Sequence, residues 1–301
     1  MKEPMIVILA AGMGSRYGGL KQIDTVGSNG ESIIDFTIYD AIAAGFKKVV
    51  LIIRKEHEEA FEASLVSKIR NKIEVAYAYQ DLNDVPQGIV VPEGREKPWG
   101  TTHALLACRE IIDGPFMICN ADDYYGKDAF VTMYHYLKNE VSDSNYGMVG
   151  YELVNTLTEN GTVTRAICKQ EDGKLVEIEE IQNIRKHGEK AEYDVNGTWV
   201  EATDDMLASM NFWGFTPKVF EECTELFETF VKEALVSNPM KGEHVIPTAV
   251  GQLLEKNAIT IKVMASKDKW FGVTYKEDKP TVVNSLAEYK EKGLYPFDLW
   301  K

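Results

Sequence analysis

The stretch "VILAAGMGSRYGGLKQ", residues 7–22, decides how this chain is read. It continues an apolar run that starts at Met5 and is rich in branched residues, which predicts a strand buried on both faces. Four glycines then fall within eight positions (Gly12, Gly14, Gly18 and Gly19), with Arg16 and Lys21 close by. Glycine lets the backbone approach a ligand and take positive φ. A glycine-rich turn directly after the first strand of a parallel sheet lies at the sheet's carboxyl edge, where ligands bind. Backbone N–H groups opening the next helix point at an anion there, and two full cations strengthen the same place. The stretch therefore predicts a polyphosphate site. It lacks the Gly-Lys-Ser/Thr of the P-loop, and Gly12, Gly14 and Tyr17 give G-x-G-x-x-Y in place of the dinucleotide fingerprint.

Outward from this stretch the pattern alternates. Ile34, Ile38 and Ile42 repeat every fourth residue and mark a helix face, which Gly45 ends. Strands are predicted at 48–54, 73–79 and 115–121, and helices at 56–70, 101–111 and 127–139. This order predicts an α/β fold, Rossmann-like, with a largely parallel mixed sheet and helices on both faces. After about residue 145, "YGMVGYELV", "TVTRAICKQ" and "KLVEIEEIQNI" read as successive strands. Asn160-Gly161 and Asp172-Gly173 are read as their hairpin turns, so the second half is strand-rich and antiparallel. Residues 184–208 are polar and are read as an insertion or flexible loop. A strand at 210–215, helices at 217–235 and 245–256, a strand at 258–265 and a helix at 280–292 complete the chain.

Composition limits the function classes. A net charge of −14 argues against nucleic acid as the main partner. A small anionic ligand held by a few local cations remains compatible with it. The four cysteines are scattered without a C-x-x-C pair, which predicts reduced thiols. No apolar stretch approaches the roughly 20 residues of a membrane span, and the N-terminal apolar run is too short for a signal peptide. The expectation is a cytoplasmic protein with no membrane partner. Asp122 and Asp123 follow an apolar strand at the same sheet edge as the glycine loop. Carboxylates there repel a triphosphate unless a cation lies between, and magnesium suits that position because it bridges one or two carboxylates to phosphates.

"LAAGMGSRYGGLKQ" closely resembles the L-A-A-G-x-G-x-R…K signature of the sugar-phosphate nucleotidyltransferase family, through Leu9, Ala10, Ala11, Gly12, Gly14, Arg16 and Lys21. "GESIIDFTIYDAIAAGFKKVVLII" resembles the stretch that follows this loop. "WGTTHAL" (99–105) is similar to the G-T-x-H-A segment of uridylyltransferase members. "ICNADDYYG" (118–126) resembles the strand ending in a metal-binding aspartate, and "MNFWGFTP" the later strand near the sugar.

The resemblance implies a single nucleotidyltransferase domain over 1–301, with a nucleotide-binding half over about 1–140 and a sugar-phosphate-binding half over about 141–301. It implies transfer from a nucleoside triphosphate, UTP or dTTP, to a sugar 1-phosphate, with Mg2+ as cofactor. Arg16, Lys21 and Asp122 are then the catalytic residues, Asp122 as the metal ligand. Leu9, Ala10, Ala11, Gly12, Gly14, Gln80, Gly100 and Thr101 hold the nucleotide, and Asn211 and Glu179 face the sugar. Two features depart from the family. Thr274, in "WFGVTYKED", stands where a second metal ligand is expected, with Asp278 as the alternative. Ile181 follows Glu179-Glu180 where the family has the lysine of Glu-Lys-Pro, leaving Lys186, Lys190 or Lys241 to substitute. The connection between Gln80 and Gly100 is long and is read as a loop, a lid over the base. Trp99 either packs on the base or fills the core, and His103 packs or caps the helix beside it. Three other readings stand: a CTP-dependent transferase acting on a non-sugar phosphate such as phosphocholine, a glycosyltransferase of similar fold using Asp122-Asp123 as its metal motif, though it would not need Arg16 and Lys21 on a glycine loop, and a non-catalytic regulator that binds a nucleotide sugar. A homo-oligomer is compatible with all of them.

Overall fold

The computed structural model describes residues 2–12, 20–266, 268–273 and 275–301. Gly14, Arg16 and Thr274 lie outside the described residues. The first strand, β1 (Met5–Leu9), is buried from Met5 to Ile8 without alternation. A strand covered on both faces reads this way, and each such side chain contributes about 1.5–3 kcal/mol by burial. Helix α1 (Ile33–Ala44) follows, its first turn capped where Asp35 accepts the Ser32 N–H at 2.7 Å. Gly45, at φ +118°, closes it, because only glycine takes that conformation cheaply. Then come β2 (Lys48–Ile53), short helices α2 (Glu58–Phe61) and α3 (Ser67–Ile69) joined by a π turn, and β3 (Glu74–Tyr79). Helix α4 (Thr101–Leu106) leads to β4 (Phe116–Asn120). These strands lie parallel in the order β3-β2-β1-β4.

The second half adds β5 (Asp123–Tyr124), α5 (Lys127–Asn139), β6 (Asn145–Glu152), β7 (Val163–Glu171), β8 (Lys174–His187), β9 (Lys190–Val195) and β10 (Thr198–Glu201). It continues with β11 (Leu207–Phe215), α6 (Lys218–Ser237), α7 (Ile246–Glu255), β12 (Thr260–Ala265), β13 (Phe271–Gly272) and α8 (Lys279–Glu291). The main sheet runs β10-β9-β8-β12-β6-β11-β4-β1-β2-β3, with β7 set against β11 and β8. Strand β11 joins the halves by pairing antiparallel to both β4 and β6. Helices α1 and α5 pack together, and α4, α6 and α7 form a second group. The mixed α/β architecture is the one the alternation predicts.

Two local expectations are corrected. Residues 184–208 are not a loop: β8 runs on to His187, and β9 and β10 pair antiparallel as a hairpin. Ala191 is buried, and Asn196 and Gly197 both have positive φ, the geometry of a tight Asn-Gly hairpin turn. The polar composition reflects an exposed ribbon. Asn160-Gly161 does not close a hairpin, because β6 and β7 each pair with β11 and not with each other. Asp172-Gly173 does close one, with Glu171 opposite Lys174.

A small ribbon, β5 against β13, sits off the main sheet and pairs Asp123 with Gly272 and Tyr124 with Phe271. The Tyr124 and Phe271 rings stack at 4.4 Å. The Tyr124 and Tyr295 hydroxyls share a hydrogen bond at 2.8 Å, and Tyr295 donates to Asp40 on α1 at 2.6 Å. This aromatic cluster holds the turn after β4 in place.

Candidate functional site

The carboxyl ends of β1, β2 and β4 are bound together. Ala10 donates its N–H to Ile52 O at 2.8 Å, and Ala121 donates to Leu9 O at 3.1 Å. The chain then leaves the sheet at Gly12. It returns in a short 3-10 turn, Lys21–Ile23, where Gln22 donates to Gly12 O at 2.6 Å. The Gln22 Oε1 is buried with no partner among the described residues. Lys21 Nζ lies 2.5 Å from Asp122 Oδ2, both side chains partly buried. The structure thus joins two expected site residues 101 positions apart in sequence. Leu9, Ala10, Ala11 and Gly12 line up beside them at the same edge.

Asp123 is buried under this pair. Its Oδ2 accepts from Asn120 Nδ2 at 2.8 Å. Burial, and after it the charge of Asp122, pushes its carboxyl up to about 7. A Cβ on Gly272 would lie 2.5 Å from Asp123 Oδ1, so glycine there lets β13 close on the carboxylate. Asn211 donates toward Asn120 Oδ1 at 3.4 Å, from a bulge in β11 where its φ is +59°. Its own Oδ1 is buried and unpartnered among the described residues.

No cluster of three or more His, Cys, Asp or Glu suited to a metal occurs among the described residues. That donor set does not suit a closed protein cage. It does suit magnesium, which is commonly held by one or two carboxylates plus phosphates and water. Asp122 is the partly exposed carboxylate at this edge, paired with Lys21, and Asp123 beside it is buried. Both oxygens of Asp278 serve the protein: Oδ1 accepts from Thr158 at 2.6 Å and Asn160 at 2.9 Å, and Oδ2 accepts the Tyr275 N–H at 2.7 Å. Asp278 therefore orders the 158–160 turn.

The base-side residues also converge. Gln80 extends from β3 and donates to Gly100 O at 3.1 Å. Its Nε2 also lies 3.3 Å from His103 Nδ1, and His103 Nε2 lies 2.8 Å from Asp84 O. A carbonyl can only accept, so His103 carries its proton on Nε2 and its Nδ1 accepts from Gln80. Burial pushes the His103 pKa down and favours this neutral form. Both Gln80 N–H groups are thereby used, which orients its Oε1 as the remaining acceptor. A cavity of about 770 Å3 adjoins them, lined by Arg54, Tyr79, Gln80, Leu82, Asn83 and His103 among others. Thr101 accepts the Ile246 N–H at 2.9 Å, so its hydroxyl serves the start of α7.

The 81–99 connection lines this cavity through Leu82, Asn83, Arg95 and Pro98, and it is fastened at its far end. Arg95 donates to Pro239 O and Gly242 O, each at 2.6 Å, and lies 3.4 Å from the Trp99 ring centre. Trp99 is fully buried and donates to Leu82 O at 3.0 Å, which makes it core.

On the acceptor side the structure separates the expected residues. Asn211 reaches the Asp123 cluster through Asn120. Glu179 instead lines a separate cavity with Ile167, Lys169 and Thr203. Lys190 pairs with Glu201 on the exposed ribbon, and Lys186 with Glu159. Sequence reading missed Asn120, Arg165 and Gly272. Arg165 sits in a cavity of about 370 Å3 with Thr158, Lys186, Trp270 and Gly272. The only local sequence signal was an arginine inside an otherwise half-apolar strand.

The family profile described as "Nucleotidyl transferase" matches residues 5–273. No curated protein sequence matches the chain. Among solved structures, the inositol-1-phosphate CTP transferase from T. maritima superposes with a TM-score of 0.63 at 11% identity, over 96% of this chain and 97% of that one. A UDP-glucose pyrophosphorylase complexed with UDP-glucose gives 0.60 at 17% identity, over 95% and 99%. At such identities these likenesses establish the fold.

Proposed function

The chain belongs to the nucleotidyl transferase family and is a nucleotidyltransferase, and we propose that it joins UTP or dTTP to a sugar 1-phosphate, giving a nucleotide sugar and pyrophosphate. The observation that carries this reading is the Lys21–Asp122 pair at 2.5 Å, set where the chain leaves β1 through Gly12. A phosphate-binding cation and a metal-binding carboxylate in one place are what transfer from a triphosphate needs.

An oxygen of the acceptor's phosphate attacks the α-phosphorus in line. A new P–O bond forms, the bond from the α-phosphorus to the bridging oxygen breaks, and its electron pair leaves with pyrophosphate. The nucleophile is already anionic, so no general base is required, and the protein contributes positioning and charge neutralisation. Lys21 neutralises the α-phosphate and the incoming phosphate. Arg16 and the N–H groups of the glycine loop hold the β- and γ-phosphates. Magnesium held by Asp122 supplies charge neutralisation between carboxylate and phosphates when bound. Gln80 presents Oε1 to the base. Uracil and thymine carry an N3–H that this oxygen accepts, whereas cytosine has a bare acceptor at N3. The four cysteines are free and buried, which fits work in a reducing cytoplasm.

The test is pyrophosphate release from four nucleoside triphosphates, each paired with a set of sugar 1-phosphates and with phosphocholine, with and without magnesium. The expected result is metal-dependent turnover with UTP or dTTP and a sugar 1-phosphate. Turnover confined to CTP and phosphocholine overturns it in favour of a cytidylyltransferase. Tight binding of a nucleotide sugar without turnover overturns it in favour of a regulator.

A further inference from the structure

Arg165 lies in β7 at a bulge, where the register against β8 shifts between Val163 and Arg165. A bulge re-aims a side chain, and this one delivers the guanidinium to the wall of the 370 Å3 cavity. The side chain is held from behind. Nε donates to Thr156 Oγ1 at 3.2 Å, Nη2 to Thr156 O at 2.5 Å and Nη1 to Thr164 O at 2.9 Å. Thr156 is fully buried and its hydroxyl donates to Leu153 O at 2.8 Å, so the support is rigid. Three of the five guanidinium N–H groups are used in this way, and two remain. Arg165 makes no ion pair among the described residues, unlike Lys186 and Lys190.

Gly272 lines the same cavity and pairs with Asp123 across β13 and β5, next to the Lys21–Asp122 pair. The Arg165 guanidinium lies 5.1 Å from the ring centre of Trp270, which leads into β13 beside Asp123. Trp270 is 5% exposed, and its indole N–H has no partner among the described residues. A fixed cation with spare donors on the cavity wall suits an acceptor-rich group. Thr281 and Ser285 add hydroxyls to a wall that also carries Lys186, Lys269, Glu159, Glu189 and Asp278, with Lys186 paired to Glu159 and Asp278 accepting from Thr158 and Asn160. The volume is at the small end of ligand pockets, which run to about 1,000 Å3.

Resting on the nucleotidyl-transfer reading above, we propose that Arg165 holds the phosphate of the acceptor, and that the cavity takes a single-ring polyol monophosphate. The planar fork matches phosphate oxygens in a way an ammonium does not. Arg165 thus does the work that sequence reading looked for in a lysine, with Lys186 on the same cavity wall and Lys190 away on the exposed ribbon.

Arg165→Met and Arg165→Lys test this by steady-state pyrophosphate release with UTP and glucose 1-phosphate, beside calorimetric binding of glucose 1-phosphate alone. In Arg165→Met the acceptor KM is expected to rise about ten-fold or more, by loss of charge-assisted hydrogen bonds. The UTP KM stays at its wild-type value, the melting temperature falls by no more than the loss of the Thr156 and Thr164 hydrogen bonds accounts for, and Arg165→Lys restores part of the acceptor loss. An unchanged acceptor KM overturns the proposal. So does an equal rise in both KM values with a lower melting temperature, which is the signature of a purely structural arginine. If the wild type releases no pyrophosphate with any pair, the transfer reading fails and calorimetry decides Arg165 alone. Glucose 1-phosphate binding that Arg165→Met weakens then supports it, and binding that is equal in both proteins, or absent from the wild type, overturns it.

Discussion

The parallel and antiparallel halves of the sheet supply site residues by opposite means. In the parallel half the residues simply follow strand ends: Gly12 after β1, Gln80 after β3 and Asp122 after β4. Parallel strands all end on the same edge, so topology gathers them without any local irregularity. In the antiparallel half alternate strands end on opposite edges, and the useful side chains come from interruptions. Asn211 stands in the β11 bulge at positive φ, and Arg165 at the β7 bulge. A regular strand at either place would alternate its side chains between the sheet's two faces. One half therefore positions chemistry by connectivity, and the other by defects in pairing.

The sharpest way to break this comparison is at the edge of the parallel half. Lys21→Ala is expected to lower the rate of pyrophosphate release by about 10²–10³, the usual cost of one preorganised electrostatic donor. A loss of only a few-fold shows that the edge is not where charge is neutralised. A smaller effect is expected at Gly100, which has φ +99° and where a Cβ would lie 2.3 Å from the His244 carbonyl oxygen. Gly100→Ala is expected to cost about 2–3 kcal/mol, read from denaturant midpoints, because backbone offers less give than a side chain. A neutral result means the 244 segment is free to move.

His103→Ala sharpens the base side. Without the ring to hold Gln80, the triphosphate KM is expected to rise by roughly five- to ten-fold, the worth of about one hydrogen bond, with the acceptor KM unchanged. If both rise together, the histidine supports α4 as a whole and does not position Gln80.

An effect on stability alone lies in the aromatic cluster under the site. Burial pushes the Asp40 carboxyl up to about 7, against the hydrogen bond from Tyr295 and the charge of Lys127, with Asp268 adding to the rise. Unfolded, the group titrates near its ordinary value of about 3.9. Between these values the folded chain holds a proton that the unfolded chain has lost. The contribution to stability is therefore full below about 3.9 and is lost as pH rises through about 7. Asp40→Asn is expected to flatten that decline by about 2–3 kcal/mol, measured as the difference in unfolding free energy between about pH 5 and pH 8. An unaltered slope places the titration elsewhere.

Much of the first half was legible because its signals are local. Unbroken apolar runs marked β1 and β2, Gly45 marked the end of α1, and the glycine-rich exit from β1 marked the edge. The pairing of Lys21 with Asp122 followed from two separate motifs ending strands of one parallel sheet. Legibility fell after residue 145 for a physical reason. The 184–208 ribbon has only one modestly covered face, so its hydrophobic alternation is too weak to read as strand. Asn160-Gly161 has hairpin composition, yet β6 and β7 pair through β11, and a turn dipeptide carries no information about a third strand.

What the sequence determined by itself was the α/β architecture and the sheet edge where Lys21 and Asp122 meet, because strand burial, caps and turn glycines act within a few residues. Only the tertiary structure decided that Gly272 closes on Asp123, that Asp278 is committed to the 158–160 turn, and that Arg165 lines a cavity with Gly272. Those placements depend on pairings between distant segments and on single-residue shifts of register, each of which sends a side chain to the other face of a sheet. No local pattern distinguishes such a shift from its absence.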